Sequence, residues 1–528
     1  VAGYWGHDSS LTFWNDVTKT FHIIEIEKLT GIKHYRGHHR RGREEIEVYQ
    51  KAIEIAEREF GIPNNYYAFI AAGHDSRSPT NSKTNWTHVM PCNPDAVRAV
   101  RSVFNVENYV ESEGHHLYHA TSGFMQSPFE KAVVITMDGG GNEGFQFVYT
   151  VEDRKTPITI QFMTKERAGS EIFLGRQYNR CARWICYNML QVTPCHSDFA
   201  GKVMGASAYG DRESDSYRVA RSLFENNKET WNKYTRESEW FRFYIGTREE
   251  IAKDPSIRER KKRLMIQAFW ETPENYNPYR LMAFPVDWQT ECNYALGIQE
   301  KFEQMSYAWI TKMIKDINLD DYDRNVVLSG GVGLNVIFNA KLREKLNINL
   351  FVPPNPTDVG LSHGALADYM LKNKIDFDVR DVTYSTFSIQ DKDQLPKYVQ
   401  SHNGRLSSIK EVAQLLKDQK IIGLVQGNIE VGPRALGNRS ILCDPRGEHK
   451  KDLVNKVKRR EAYRPFAPMC RREDVEKYFE SSSYDYLSHM NIAVKTRPEY
   501  LDEVAAATHV DGTARVQTVT AKENQNIY

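Results

Sequence analysis

The segment His115-His116-Leu117-Tyr118-His119-Ala120, followed by Lys131-Ala132-Val133-Val134-Ile135-Thr136-Met137 and then Asp138-Gly139-Gly140-Gly141, constrains this chain more than any other stretch. His115 and His119 are four positions apart. A helix puts both imidazoles on one face, one turn apart, where two rings can share one metal ion. The apolar run 131–137 predicts a buried strand with Asp138 at its carboxyl end, which is where ligands bind in open α/β sheets. Two histidines and a carboxylate are thus expected beside a glycine-rich turn suited to phosphate. A zinc protease needs Glu directly after the first histidine as general base; His116 stands there, so that reading is set aside. Downstream, Pro353-Pro354-Asn355-Pro356-Thr357-Asp358-Val359-Gly360 offers a second carboxylate in a Pro/Gly loop.

With 528 residues the chain can hold two or three domains with large cores. Its 70 Lys+Arg against 69 Asp+Glu leave a net charge of +1, which argues against nucleic acid as the main partner. The basic run from His34 to Arg43 is a local exception, a solvated loop or a mouth for anions. The seven cysteines are scattered without a Cys-x-x-Cys pair, which predicts a reduced, cytoplasmic setting. No apolar run has membrane-spanning length and no secretory signal is visible, so no membrane partner is expected. The start at Val1 points to a trimmed N-terminus.

Short apolar runs alternate with amphipathic segments, the pattern of an α/β architecture. Residues 11–14 and 21–26 read as paired strands, 44–60 as a helix stopped by Gly61 and Pro63, 67–71 as a strand, and 108–127 as a helix carrying the His pair. Residues 211–275 read as a helical insertion, with Trp231, Trp240 and Phe241 in its packed core or at an acceptor. Asn325–Ser329 reads as a strand entering Gly330-Gly331-Val332-Gly333-Leu334-Asn335, a turn whose backbone could approach a nucleotide or serve close packing. The polar stretch Lys372–Arg380 marks a domain boundary. Beyond it, Arg434, Lys458, Arg460, Arg464 and Arg515 stand beside Pro and Gly, and planar guanidinium forks match phosphate oxygens in pairs.

These segments together resemble the O-carbamoyltransferases of the nodulation-factor and antibiotic-tailoring type. The resemblance runs over nearly the whole chain. It rests on His7-Asp8-Ser9-Ser10, the His115–Ala120 segment, Met137-Asp138-Gly139, Lys202-Val203-Met204-Gly205, Gly330–Asn335, Asp358-Val359-Gly360, Gly432–Ser440, Arg464-Pro465-Phe466-Ala467-Pro468 and Asp511-Gly512-Thr513-Ala514-Arg515. It implies an α/β fold in two parts. The first, 1–375, would be a TsaD-like duplicated domain of the superfamily of actin, sugar kinases and heat-shock ATPases (ASKHA). The second, 385–528, would be YrdC-like, with its C-terminal part missing. The second part would make carbamoyl-adenylate from carbamoyl phosphate and ATP, and the first would pass the carbamoyl group to a small hydroxylated acceptor. The resemblance assigns a metal, iron, to His115, His119, Asp138 and Asp358, and Mg2+ is a further expected ion. Imidazole and carboxylate suit iron or zinc, and the ligand types do not choose.

In this scheme Gly139, Gly140, Gly330, Gly331 and Asn335 line the nucleotide, while Arg434, Lys458, Arg460, Arg464 and Arg515 neutralise donor phosphates. His7 accepts the hydroxyl proton. A homodimer is expected by analogy with the family. A composition unlike that of a GC-rich actinomycete tilts the acceptor toward a saxitoxin-type alkaloid. Departures occur at Asn428, Val431, Glu25–Lys28 and Ala206-Ser207-Ala208, where the family usually has other residues. Rival readings are a tRNA threonylcarbamoyl transferase, a sugar kinase of the same superfamily, and a catalytically idle ATP-binding scaffold.

Overall fold

The architecture was obtained as a computed structural model. It describes residues 1–4, 6, 8–33, 35, 42–73, 94–139, 146–163, 174–188, 198–225, 288–378, 380–458, 460–482 and 486–528. The expectations for His7, Gly140, Trp231, Trp240, Phe241 and most of the basic run 34–43 lie outside these residues.

Two five-stranded sheets organise the chain. The first contains β1 (Ala2–Tyr4), β2 (Ser10–Asn15), β3 (Thr20–Glu25), β4 (Tyr66–Gly73) and β5 (Val106–Glu113), in the order β3-β2-β1-β4-β5. The second contains β6 (Ala132–Thr136), β7 (Phe147–Val151), β8 (Ile160–Met163), β9 (Asn325–Ser329) and β10 (Asn349–Phe351), in the order β8-β7-β6-β9-β10. In each sheet the first three strands form an antiparallel meander, the fourth pairs in parallel with the first, and the fifth pairs in parallel with the fourth. One topology is therefore used twice within a mixed α/β fold.

β6 and β9 are buried along their whole length, which suits their uninterrupted apolar sequences. Between the sheets lie the helices His115–Gln126 and Leu361–Lys372. All of the first except Leu117 is buried, and its polar side chains find partners within the protein. Thr121 donates to the Leu117 carbonyl, Ser122 Oγ lies 3.1 Å from His363 Nδ1, and the Gln126 amide donates to Ser122. The two helices approach so closely that a Cβ at Gly364 would lie 2.0 Å from the Tyr118 carbonyl oxygen. The helix begins at His115 and not at 108 as its sequence suggested; residues 106–113 are a strand paired in parallel with β4.

At the far end of this helix, Arg154 donates to the carbonyls of Met125, Ser127 and Phe129 at 2.7–3.2 Å and to Asp378 at 3.2 Å. A cation at a helix C-terminus satisfies carbonyls that have no partner within the helix.

The C-terminal part adds three two-stranded pairs: β11 (Ile422–Val425) with β12 (Arg439–Leu442), β13 (Met469–Arg471) with β16 (Gln517–Val519), and β14 (Val494–Lys495) with β15 (Thr513–Ala514). Tyr463, Val475, Phe479, Ile492 and Val516 share one apolar cluster with the second sheet and the helix Trp288–Met313. Each large side chain so buried contributes about 1.5–3 kcal/mol. The polar stretch after Lys372 leads into residues that pack back on the first sheet: Ile23 N–H donates to Ser385 O, and Phe387 joins the core beside Phe13. Among the described residues no helix is long and apolar enough to cross a membrane, and Cys181, Cys292, Cys443 and Cys470 are free thiols.

Two stability predictions follow from the helix pair. Gly364→Val forces the helices apart, and urea unfolding should show a loss of about 2–3 kcal/mol. Burial lowers the His363 imidazole to about 4. An unfolded histidine near 6.5 then binds its proton first, so stability falls as pH drops from 6.5 toward 4, by about 3 kcal/mol. In a His363→Asn variant, urea midpoints measured across that window should decline less steeply.

Candidate active centre

The carboxyl ends of parallel strands from both sheets point to one place. β1 delivers Tyr4, and β5 delivers the helix starting at His115. β6 delivers Asp138, β9 the Gly330-Gly331 turn, and the loop after β10 delivers Asp358. The loops are stitched together by their backbones: Gly330 N–H donates to Pro356 O at 2.8 Å, and Val332 N–H to Met137 O at 3.1 Å. Gly330 has φ +91°, and a Cβ there would lie 2.3 Å from the Met137 carbonyl oxygen. Glycine is required at this crossing for conformation as well as for space.

The four residues predicted as metal ligands converge. His115 Nε2 lies 3.2 Å from His119 Nε2, 3.4 Å from Asp138 Oδ2 and 3.7 Å from Asp358 Oδ1, and His119 Nε2 lies 3.4 Å from Asp358 Oδ1. All four ligand atoms fall within 4.8 Å of one another. An ion bound at about 2.0–2.2 Å holds tetrahedral ligand atoms about 3.3–3.6 Å apart, and the four separations just given lie close to that spacing, so the set could hold a single ion. Burial and the charge of Asp358 push the Asp138 carboxyl upward, but its contact with His115 and the nearby imidazole charges outweigh them and hold it below the usual carboxylate range. One buried and one half-buried carboxylate with two buried imidazoles on such spacing suit a divalent transition metal.

Of the predicted nucleotide-lining residues, Gly139 faces open space, with nothing within 4 Å of a Cβ placed there. Gly331 instead donates its N–H to Asp138 Oδ1 at 2.7 Å. The Asn335 side chain caps the helix Val336–Leu346 by accepting from Phe338 N–H, and it pairs with Gln299 at 3.0–3.1 Å. Its position at the turn is as expected, while its amide serves the fold.

A second group gathers in the C-terminal part. Glu430 Oε1 accepts from the N–H groups of Leu436, Asn438 and Arg439 at 2.7–3.0 Å and so folds the loop that carries Arg434. Lys28 donates to the carbonyls of Glu430 and Gly432 and to Glu25, docking that loop on the first sheet. The charges of Arg464 and Arg515 bear on Arg434, and those of Arg460 and Arg464 bear on Lys458. Burial first, and this repulsion second, lower the proton affinity of Arg434, Lys458, Arg460 and Arg515. Glu461 meets Arg464 at 3.5 Å but is shared with Lys202 at 2.8 Å. The Nε atoms of Arg434 and Arg515 are buried without a hydrogen-bond partner. Arg460 is partly committed: it donates to Pro465 O at 2.9 Å and lies over the Phe466 ring at 4.2 Å. Half-buried guanidinium groups held together beside an exposed ammonium suit a multiply charged anion.

Sequence reasoning missed Tyr4, whose hydroxyl donates to Asp358 Oδ2 at 2.6 Å, and the Lys202–Glu461 ion pair. The run Lys202-Val203-Met204-Gly205 was visible as a motif, but nothing in it names Glu461 as the partner.

Comparison with known proteins places both groups in one family. Residues 96–367 match the carbamoyltransferase N-terminus and residues 413–528 the carbamoyltransferase C-terminus. The metal set lies in the first span and the cationic group in the second. Nodulation protein NolNO of Sinorhizobium fredii is 29% identical over 425 residues, covering 78% of this chain and 55% of that protein. Nodulation protein NolO of Bradyrhizobium diazoefficiens is 30% identical over 423 residues, covering 78% of this chain and 68% of that protein. Nodulation protein U of Rhizobium tropici is 36% identical over 198 residues, covering 37% of this chain and 33% of that protein.

The uncompensated cations give a direct test. Pyrophosphate at low salt should raise the thermal midpoint. Arg434→Met should abolish that rise while leaving the ligand-free protein as stable as the original or about 1 kcal/mol more stable. A pyrophosphate response that survives the substitution would place the anion elsewhere.

Proposed function

The chain belongs to the carbamoyltransferase family, and we propose that it is an ATP-dependent O-carbamoyltransferase that works in two steps. The observation that carries this reading is the cationic group of Arg434, Lys458, Arg464 and Arg515, which needs an anion of several charges to complete it. Carbamoyl phosphate and ATP supply such charge. Water cleaves carbamoyl phosphate to carbamate and phosphate, and a carbamate oxygen then attacks the α-phosphorus of ATP. Carbamoyl-adenylate forms and pyrophosphate leaves. The guanidinium and ammonium groups stabilise charge that grows on the departing phosphates. Arg460 shapes the Arg464–Pro468 loop and adds its charge.

In the second step an acceptor hydroxyl attacks the carbamoyl carbon and AMP departs. The carbamoyl group is a poor electrophile because its nitrogen donates into the carbonyl; the adenylate supplies the good leaving group. An ion held by His115, His119, Asp138 and Asp358 would act as a Lewis acid on the bound intermediate. Iron is the metal this reading favours, with Mg2+ accompanying ATP. Gly139 and the Gly330–Gly331 turn give the nucleotide close access to backbone. His7 is retained on its sequence position as the base for the hydroxyl proton. The repeated sheet topology is the support for the TsaD-like, ASKHA assignment of the first part, and the cationic group is the support for a YrdC-like second part. The acceptor is a small hydroxylated metabolite, with saxitoxin-type alkaloids first among those to screen.

Incubated with ATP and carbamoyl phosphate but no acceptor, the protein should release phosphate and pyrophosphate and accumulate carbamoyl-adenylate. Arg434→Ala should slow pyrophosphate release by about 100-fold or more. No pyrophosphate from folded, metal-loaded protein would sink the reading.

A further inference from the structure

Tyr4 has no place in the scheme above, yet it touches the metal set directly. Its hydroxyl donates to Asp358 Oδ2 at 2.6 Å, while the other oxygen, Oδ1, faces His119 Nε2 at 3.4 Å and His115 Nε2 at 3.7 Å. Asp138 is arranged in the same way. Its Oδ1 accepts the Gly331 N–H at 2.7 Å, and its Oδ2 faces His115 Nε2 at 3.4 Å. Each carboxylate thus has one oxygen held by a protein donor and one turned toward the imidazoles.

We propose that Tyr4 is a positioning residue that makes Asp358 a one-oxygen ligand, as the Gly331 N–H does for Asp138. This inference rests on the metal-centre reading of the four residues. A carboxylate can bind an ion through one oxygen or through both, and a strong donor on one oxygen favours the single bond and fixes the plane of the group. Tyr4 is well placed to impose this. It sits on β1 in the middle of the first sheet, with Ser10 opposite on β2 and Ala72 opposite on β4, so its backbone cannot drift. Its side chain is 2% exposed. Gly6 leaves room for the phenol: a Cβ at that position would lie 2.0 Å from the Tyr4 oxygen and 2.4 Å from Cζ. Two single-oxygen carboxylates leave more of the ion's coordination sphere open to substrate than two chelating ones.

The test uses cobalt(II) as a probe, bound to the full chain and followed by its visible absorption in competition with a chelator. Unmodified protein should bind it and His119→Ala should not. Tyr4→Phe, shown to be folded by circular dichroism, should bind cobalt about 10–100-fold more weakly. Its absorption bands should also change as Asp358 rotates or chelates. A Tyr4→Phe protein that binds within twofold of the original and shows the same spectrum overturns the proposal. Unmodified protein that takes up no cobalt, or His119→Ala that binds as well as the original, removes the metal centre itself and the inference with it. Should Tyr4→Phe fail to fold, infrared spectra of the unmodified protein decide. Cobalt loading should leave the carboxylate stretches widely split, as one-oxygen binding requires, and a narrow splitting overturns the assignment.

Discussion

Asp138 and Asp358 bring their carboxylates to one cluster with His115 and His119, the first half-buried and the second buried, and that concentration of negative charge has to be met by positive charge. The surrounding structure is arranged around this requirement. Desolvating a carboxylate is costly unless it is paired and hydrogen-bonded. Here the pairing partners come from a helix between two sheets, and the hydrogen bonds come from a strand-held phenol and a backbone N–H. The close packing at Gly364, the φ of Gly330 and the Arg154 cap fix the elements that carry those donors. Loose packing in any of them would leave a buried charge without its partner.

The second site has the opposite sign. Its cations repel one another, and Glu461, already engaged with Lys202, answers for one of them. A fold that keeps a negative cage and a positive one in the same chain stores two unfavourable electrostatic arrangements. On the proposed reading each would become favourable with a ligand of the opposite sign, a metal ion for the four-residue cluster and phosphates for the cations. Functional sites are where such departures from optimal stability are expected.

Much of this was legible in the residue pattern, and for identifiable reasons. His115 and His119 are a helical turn apart, and Asp138 ends an unbroken apolar run, so local periodicity alone picked out three of the four residues that cluster. Asp358 stood out through its Pro/Gly surroundings. The start of the helix was misplaced because Val106–Glu113 carries polar residues on a strand that borders the sheet, so its alternation lacks the apolar signature of a half-buried strand. Tyr4 was invisible for a different reason. Its partner lies 354 positions away, and pairing over that distance is set by tertiary structure, on which local propensity is silent. Asn335 was read for its place in a glycine turn, but its amide is consumed by capping a helix, a competing use of the same residue type.

Gly432 sits where the Pro354 carbonyl leaves no space for a side chain: a Cβ would lie 2.0 Å from that oxygen. Pro354 belongs to the same short loop as Asp358, and Gly432 to the same short loop as Arg434. The two charged sites are therefore bolted together through a backbone-to-backbone seam. On the proposed two-step reading, this seam would set, like the span of a fixed gauge, how far an intermediate made at one site travels to the other.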